Sequence, residues 1–216
     1  MKKALNVFWF RRDLRLHDNT GLFYALRADL NVLPIFIFDR NILDKLDNKK
    51  DPRVEFIRDC LLDLQKKILS FGGSLEVYYG NPTDIFSSLT DKYNVSNVFT
   101  NEDYEPYARD RDEKVAILLK QKGVGFKSFK DHVIFSRQDV LKDDGNPYTV
   151  FTPYSNKWRA RLDQGSGKDL KPFPSEESCT NFFKQAMQPI PDLTSIGFSA
   201  AGRQFPPSSP DEAVRN

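Results

Sequence analysis

Arg11, Arg12, Asp13 and Arg15 crowd into five positions near the start of the chain, and Asp103 and Glu105 stand two apart near its middle. A carboxylate pair of the second kind can do general acid–base work, as in a glycoside hydrolase. Such a pair must flank a cleft, and here no nucleophile or histidine lies at hand. A metal site would want further ligands close by, whereas His17 and His132 are isolated. Cys60 and Cys179 lie too far apart to read as a ligand pair or a disulfide framework. Asp103 and Glu105 therefore suit ligand contact or the bracing of a loop. The arginine cluster directly follows an apolar run, a place that favours docking or structural support over direct ligand contact, with a plain solvated loop as the bland alternative. A phosphate-binding enzyme would carry a glycine-rich loop there, and Arg11-Arg12-Asp13 occupies its place. Trp158, Arg159 and Arg161 mix an aromatic with cations, as single-strand nucleic-acid surfaces do. Packing of that segment against the body, with its arginines solvated, is the simpler reading.

Positioning these groups requires a scaffold, and the chain supplies one. Short apolar runs over 5–10, 32–38, 75–79, 98–100 and 126–129 read as strands. Between them, 21–27, 52–71, a stretch from Pro82 and 106–122 carry apolar residues at helical spacing. The clearest is 52–71, with Phe56, Cys60, Leu61, Leu64, Ile68 and Leu69 in one stripe, opened by Asp51-Pro52 and closed by Gly72-Gly73. Asp18 and Asn19 read as caps of the first helix, so Asp18→Ala is expected to cost roughly 1 kcal/mol. Five strands alternating with four helices predict an α/β fold, a doubly wound five-stranded parallel sheet with helices on both faces. Ligands of such sheets bind beyond the carboxyl ends of the strands. The candidate segments are then 11–17, 39–53, 80–81 and 101–109, which place Arg11, Asp39 and Arg109 among the possible cofactor contacts.

The chain has 216 residues, 39% hydrophobic and 13% aromatic with 18 Phe and 8 Tyr, enough for one substantial domain with an extended tail. A net charge of +2 does not mark a nucleic-acid-binding module acting alone. No run is long enough for a signal peptide core or a membrane span, and the sequence reads as a soluble, reduced, cytoplasmic protein. Beyond about residue 135 the pattern changes. Pro172, Pro174, Pro189, Pro191, Pro206, Pro207 and Pro210 are scattered through a segment with no sustained period, which reads as an extended C-terminal connector. The organisation expected is an α/β domain at 1–135 and a connector at 136–216. Residues 209–216 look like the start of an interrupted helix, as if the domain had been cut from a longer protein.

Three stretches carry a resemblance. Val7-Phe8-Trp9-Phe10-Arg11-Arg12-Asp13-Leu14-Arg15-Leu16-His17-Asp18-Asn19 resembles the opening signature of DNA photolyases and cryptochromes. Asn101-Glu102-Asp103-Tyr104-Glu105-Pro106-Tyr107-Ala108-Arg109-Asp110-Arg111-Asp112 is similar to the family segment that leaves the fourth strand and enters the next helix. Residues 148–158, with Phe151-Thr152-Pro153-Tyr154 and Asn156-Lys157-Trp158, resemble the family's entry into its interdomain connector. The resemblance runs from residue 4 to about 162 and is loose thereafter.

The resemblance implies a Rossmann-like, HUP-type N-terminal domain for a light-harvesting antenna. The larger helical domain that would follow holds catalytic FAD and receives the cyclobutane pyrimidine dimer of UV-damaged DNA. Its absence would leave this chain non-catalytic by itself. Members that bind methenyltetrahydrofolate carry an Asn-Glu pair where this chain has Tyr107 and Ala108. The form here looks like members with a deazaflavin or flavin (FMN or FAD) antenna, whose contacts fall on Arg53, Asp103 and Glu105. Carboxylates suit ring N–H groups and ribityl hydroxyls, and an arginine suits a carbonyl or phosphate. A photolyase performing light-driven repair is the expected whole protein, and a cryptochrome blue-light receptor the alternative. An apolar patch left bare by the missing helical domain would make dimerisation of the chain an artefact.

Overall fold

The computed structural model describes residues 2–136, 138–165 and 171–202. Five strands form one parallel sheet in the order β3-β2-β1-β4-β5. They are β1 (Ala4–Phe10), β2 (Val32–Asp39), β3 (Glu76–Gly80), β4 (Asn94–Asn101) and β5 (Gly125–Phe129). The helices between them are α1 (Thr20–Leu26), the single turn α2 (Arg40–Leu43), α3 (Pro52–Ser70), α4 (Pro82–Lys92) and α5 (Pro106–Gln121). A further helix, α6 (Phe151–Gln164), follows the sheet. The doubly wound architecture expected from the sequence is the one observed.

Alternation along the strands divides the core in two. Phe8 and Phe10 of β1 join α1 and α3 through Leu22, Leu26, Leu61 and Ile68. Leu5, Val7 and Trp9 face the other way, toward Phe86 and Leu89 of α4 and Val115 and Leu119 of α5. Both sheet faces are thus covered, as a parallel sheet requires. Strand β4 begins four residues earlier than its apolar run predicts. Asn94 and Asn97 have little strand propensity of their own, but they pair with Ala4 and Asn6 of β1, and Ser96 is the residue passed over where the register shifts between Leu5 and Asn6. Asn97 also donates through Nδ2 to Asn6 Oδ1 at 3.2 Å. Tertiary pairing overrides local preference here.

Gly21 sits at a close approach between α1 and β4. A Cβ there would lie 2.6 Å from Asn101 Oδ1 and 3.1 Å from the Thr100 carbonyl oxygen. Although alanine is the better helix former, Gly21→Ala is expected to lower stability by about 1–3 kcal/mol through overpacking. Urea denaturation measures this, and an unchanged or raised midpoint would mean that α1 sits further from β4.

The segment read as a connector is extended and proline-rich, and in 171–202 it lies against the body. Cys179, Phe182, Ile196 and Phe198 are buried in the same core as Phe8 and Leu22. Phe182 forms a parallel bridge with Val32, and Phe183 N–H donates to the Val32 carbonyl at 2.8 Å. Such packing has no periodic signature, because each anchor meets a different element. Asp18 takes part in it: its backbone lies at φ 48° and its carboxylate accepts the Phe173 N–H at 2.9 Å. Of the two residues read as caps, only Asn19 caps α1, accepting from Leu22 N–H at 3.1 Å. Helix α6 buries none of its residues. It leans on the preceding loop through Trp158, edge-on to Phe135 at 5.4 Å, and through Arg161 over the same ring, which fits the packing reading of that aromatic and basic stretch. Residues 209–216, read as a helix start, lie outside the described residues. Among the described residues no helix is long and apolar enough to cross a membrane.

Candidate functional site

Two neighbouring strands, β1 and β4, mark the point where strand order reverses, and the charged loops leave from their carboxyl ends. The backbone is fixed there by a buried polar network. Asp13 accepts from Arg11 N–H at 2.8 Å and from the side-chain amides of Asn19 and Asn101, while Asn101 Oδ1 receives Gly21 N–H at 2.8 Å. Asp131 takes Thr20 N–H and Arg15 Nη2, both at 2.8 Å. The ligand atoms of Asp13, Asp131 and His132 lie close enough to suggest a cation site. Both carboxylates are already committed to these donors, so the cluster reads as loop bracing.

The sequence-derived positions distribute over this surface unevenly. Arg12 brings Asp103 and Glu105 together: its Nε lies 3.2 Å from Asp103 Oδ2 and its Nη2 2.5 Å from Glu105 Oε1. The Glu105 bond, with the two carboxylate charges, raises the Arg12 guanidinium above its ordinary value against a small cost of burial. Glu105 is the N-cap of α5 but makes no side-chain cap bond, so its carboxylate is directed to Arg12 instead. Asp103 is nearly buried at 9% exposure, whereas Arg12 and Glu105 are more than half exposed. Two carboxylates held by one exposed arginine form an acceptor pair, able to receive ring N–H groups or hydroxyls from a ligand.

Arg11 turns inward. Its Nη1 donates to both oxygens of Asp112 at 2.7 and 2.6 Å, and Arg111 reaches the same carboxylate through Nε and Nη2 at 3.0 and 2.9 Å. Both guanidinium groups lie over the Trp9 ring, 5.2 and 4.8 Å from its centroid. Burial pulls the Arg11 pKa down while Asp112 pushes it back up. One nitrogen of this group, Nη2, is buried without a partner among the described residues.

Asp39 ends β2 and caps α2, accepting Asn41 N–H at 3.0 Å. Its other oxygen takes the Tyr107 O–H at 2.6 Å. Burial and then this carboxylate push the Tyr107 phenol up to about 12, so it remains a donor at neutral pH. Beside this pair, a cleft of about 230 Å³ opens between α2, α4 and α5, lined by Asn41, Lys45, Thr83, Tyr107, Arg111 and Lys114 among others. Asp39 thus reaches the cleft through Tyr107, and Arg11 through Asp112 and Arg111.

Arg53 and Arg109 stand apart from this group. Arg53 is 72% exposed and pairs with Asp51 at 2.6 Å, at the start of α3. Arg109 is exposed on the first turn of α5, and its guanidinium has no partner among the described residues. Sequence reasoning did not single out Lys45, Arg111 and Lys114 as site residues. A usable signal was present, since Tyr107, Arg111 and Lys114 follow i, i+4, i+7 spacing and share one face of α5.

Comparison with known proteins adds independent information. The family model described as DNA photolyase matches residues 6–177. A deoxyribodipyrimidine photo-lyase of Synechococcus is 32% identical over 206 residues, covering 91% of this chain and 41% of that protein. Cryptochrome-1 of Aedes aegypti is 31% identical over 147 residues, covering 65% of this chain and 27% of its own length. Among solved structures, an archaeal photolyase from Sulfolobus tokodaii superposes with a TM-score of 0.59 at 32% identity, over 72% of this chain and 34% of that one. It is described as holding two FAD molecules, with the implication of a novel light-harvesting cofactor. The chain spans only about two fifths of the Synechococcus photolyase it matches.

Proposed function

Because the chain belongs to the DNA photolyase family, we propose that its α/β domain holds the light-harvesting antenna chromophore of a deoxyribodipyrimidine photolyase. The observation that carries this reading is the acceptor pair Asp103 and Glu105, gathered by Arg12 at the carboxyl ends of β1 and β4. The donor set suits a deazaflavin or flavin. Two carboxylates can take the N–H and hydroxyl groups of such a ligand, and Arg12 or Arg53 can meet a carbonyl or phosphate. A folate antenna is disfavoured because Tyr107 is turned to Asp39 and Ala108 is buried and apolar.

When bound, the antenna supplies an excited state that is passed to a catalytic flavin. The residues of this chain bind and orient the chromophore. Repair itself belongs to a helical domain holding catalytic FAD, which would receive UV-damaged DNA. Residues 1–135 are the chromophore-binding body in this reading, and 136–216 lead toward that domain. The FAD molecules named for the Sulfolobus tokodaii structure support a flavin antenna in a relative.

The test is light-driven repair by a longer protein containing this segment, with and without added flavin. Pyrimidine dimers should disappear under blue or near-ultraviolet light, and the action spectrum should gain the absorption band of the added chromophore. The Cryptochrome-1 relative carries a second reading, light sensing without repair. Persistence of the dimers at every wavelength would overturn the photolyase reading.

A further inference from the structure

Arg11 and Arg111 lie over one ring, their guanidinium carbons 5.2 and 4.8 Å from the Trp9 centroid. From this stacking we infer that the two cations act as electronic insulation: they keep Trp9 hard to oxidise, so that it does not quench the excited state of a chromophore bound nearby. The inference rests on the antenna reading given above. It concerns how long the excitation survives rather than how the chromophore is held.

Indole is among the side chains most readily oxidised by one electron, and an excited flavin or deazaflavin is a strong one-electron oxidant. Transfer of one electron from the ring to the excited chromophore would leave an indole radical cation, and return of that electron would release the excitation as heat. Trp9 is placed for such a loss. Arg111 both lines the cleft between α2, α4 and α5 and lies over Trp9, so the indole stands behind the cleft wall. The indole is buried at 2% exposure, edge-on to Phe86 at 5.1 Å, and little water reaches it to solvate a charge.

Charge opposes the loss. The two guanidinium groups share one carboxylate, Asp112, which leaves a positive charge in excess beside the ring. Asp13 acts on Arg11 more weakly than Asp112 does, and it is occupied by Arg11 N–H and the side-chain amides of Asn19 and Asn101. Arg11 Nη2 is buried without a hydrogen-bond partner among the described residues, and the ring face is the neighbour left to it. A cation over that face is attracted to the neutral indole and repelled by its radical cation, so each guanidinium raises the cost of removing an electron. Tyr107, on the cleft wall itself, is also flanked by cations, with Lys45 and Arg111 lying 5.6 and 5.9 Å from its ring centre. There Asp39 stands ready to take the phenol proton and works in the opposite direction, which makes Trp9 the cleaner case.

Time-resolved fluorescence of bound FMN or hydroxydeazaflavin measures the loss. Arg11→Met removes one cation and keeps the pair between Arg111 and Asp112; near-ultraviolet circular dichroism verifies its fold. The bound chromophore is expected to decay at least about twofold faster in this variant, the scale set by one lost cation–π contact. Adding Trp9→Phe to Arg11→Met should restore the wild-type lifetime, a rescue that a merely structural role of Arg11 would not give. Trp9→Phe alone should leave the lifetime unchanged, because an insulated indole does not quench. A longer lifetime in Trp9→Phe alone, or an unaltered one in folded Arg11→Met, would overturn the insulation and leave the antenna reading standing. Failure of both chromophores to bind the wild-type chain would overturn the two together.

Discussion

Phe182→Ala is expected to destabilise the chain by about 3–5 kcal/mol, the range for truncating a large buried aromatic. Phe182 is fully buried among Phe8, Val32 and Ile68, although it lies in a proline-rich stretch beyond the last strand. Its backbone adds a bridge to β2, and Cys179 and Ser175 beside it are also fully buried. Urea denaturation followed by circular dichroism measures the loss. A change below about 1 kcal/mol, typical of surface substitutions, would mean that 171–202 merely rests on the sheet. The expected loss would make this stretch part of the folding unit, whatever further role it has toward another domain.

Asp112→Ala should cost a similar amount, about 3–5 kcal/mol, for a different reason. Asp112 is the shared counter-ion of Arg11 and Arg111, whose side chains are 6% and 9% exposed. Removing it leaves two buried guanidinium groups facing each other beside Trp9 without compensation, the situation in which breaking a buried pair is most harmful. Asp110→Ala on the same helix breaks only the exposed pair with Lys114, and should stay within about 0.5 kcal/mol of the wild type. Thermal melting of both variants side by side makes the comparison. Equal, small effects would show that Arg11 and Arg111 find water or other acceptors when Asp112 is gone.

Most of the sheet was legible because its elements carry local punctuation. Asp51-Pro52 and Gly72 bracket α3, Pro82 opens α4 and Pro106 opens α5, each with proline in the first turn where no intrahelical donor is lost. The polar half of β4 and the anchored tail were not legible, since both depend on partners distant in sequence. The site shows the same division. Asp103 and Glu105 could be chosen from their place after a strand, and the structure sets them side by side. Their tie to Arg12 depends on β1 lying next to β4, which local spacing cannot reveal. Arg53 was carried over from a resemblance, and its described ion-pair partner is Asp51, two residues before it at the N-cap of α3. Lys45, Arg111 and Lys114 are ordinary surface residue types, and only the meeting of α2 with α5 makes them a cluster.

A fluorescence titration of the chain with FMN, FAD, hydroxydeazaflavin and methenyltetrahydrofolate, repeated on Asp103→Asn, tests the antenna site most directly. Saturable binding of a flavin or deazaflavin is expected, weakened about tenfold or more when the carboxylate acceptor becomes an amide. Folate bound in preference to every flavin, or flavin binding indifferent to Asp103, would contradict it.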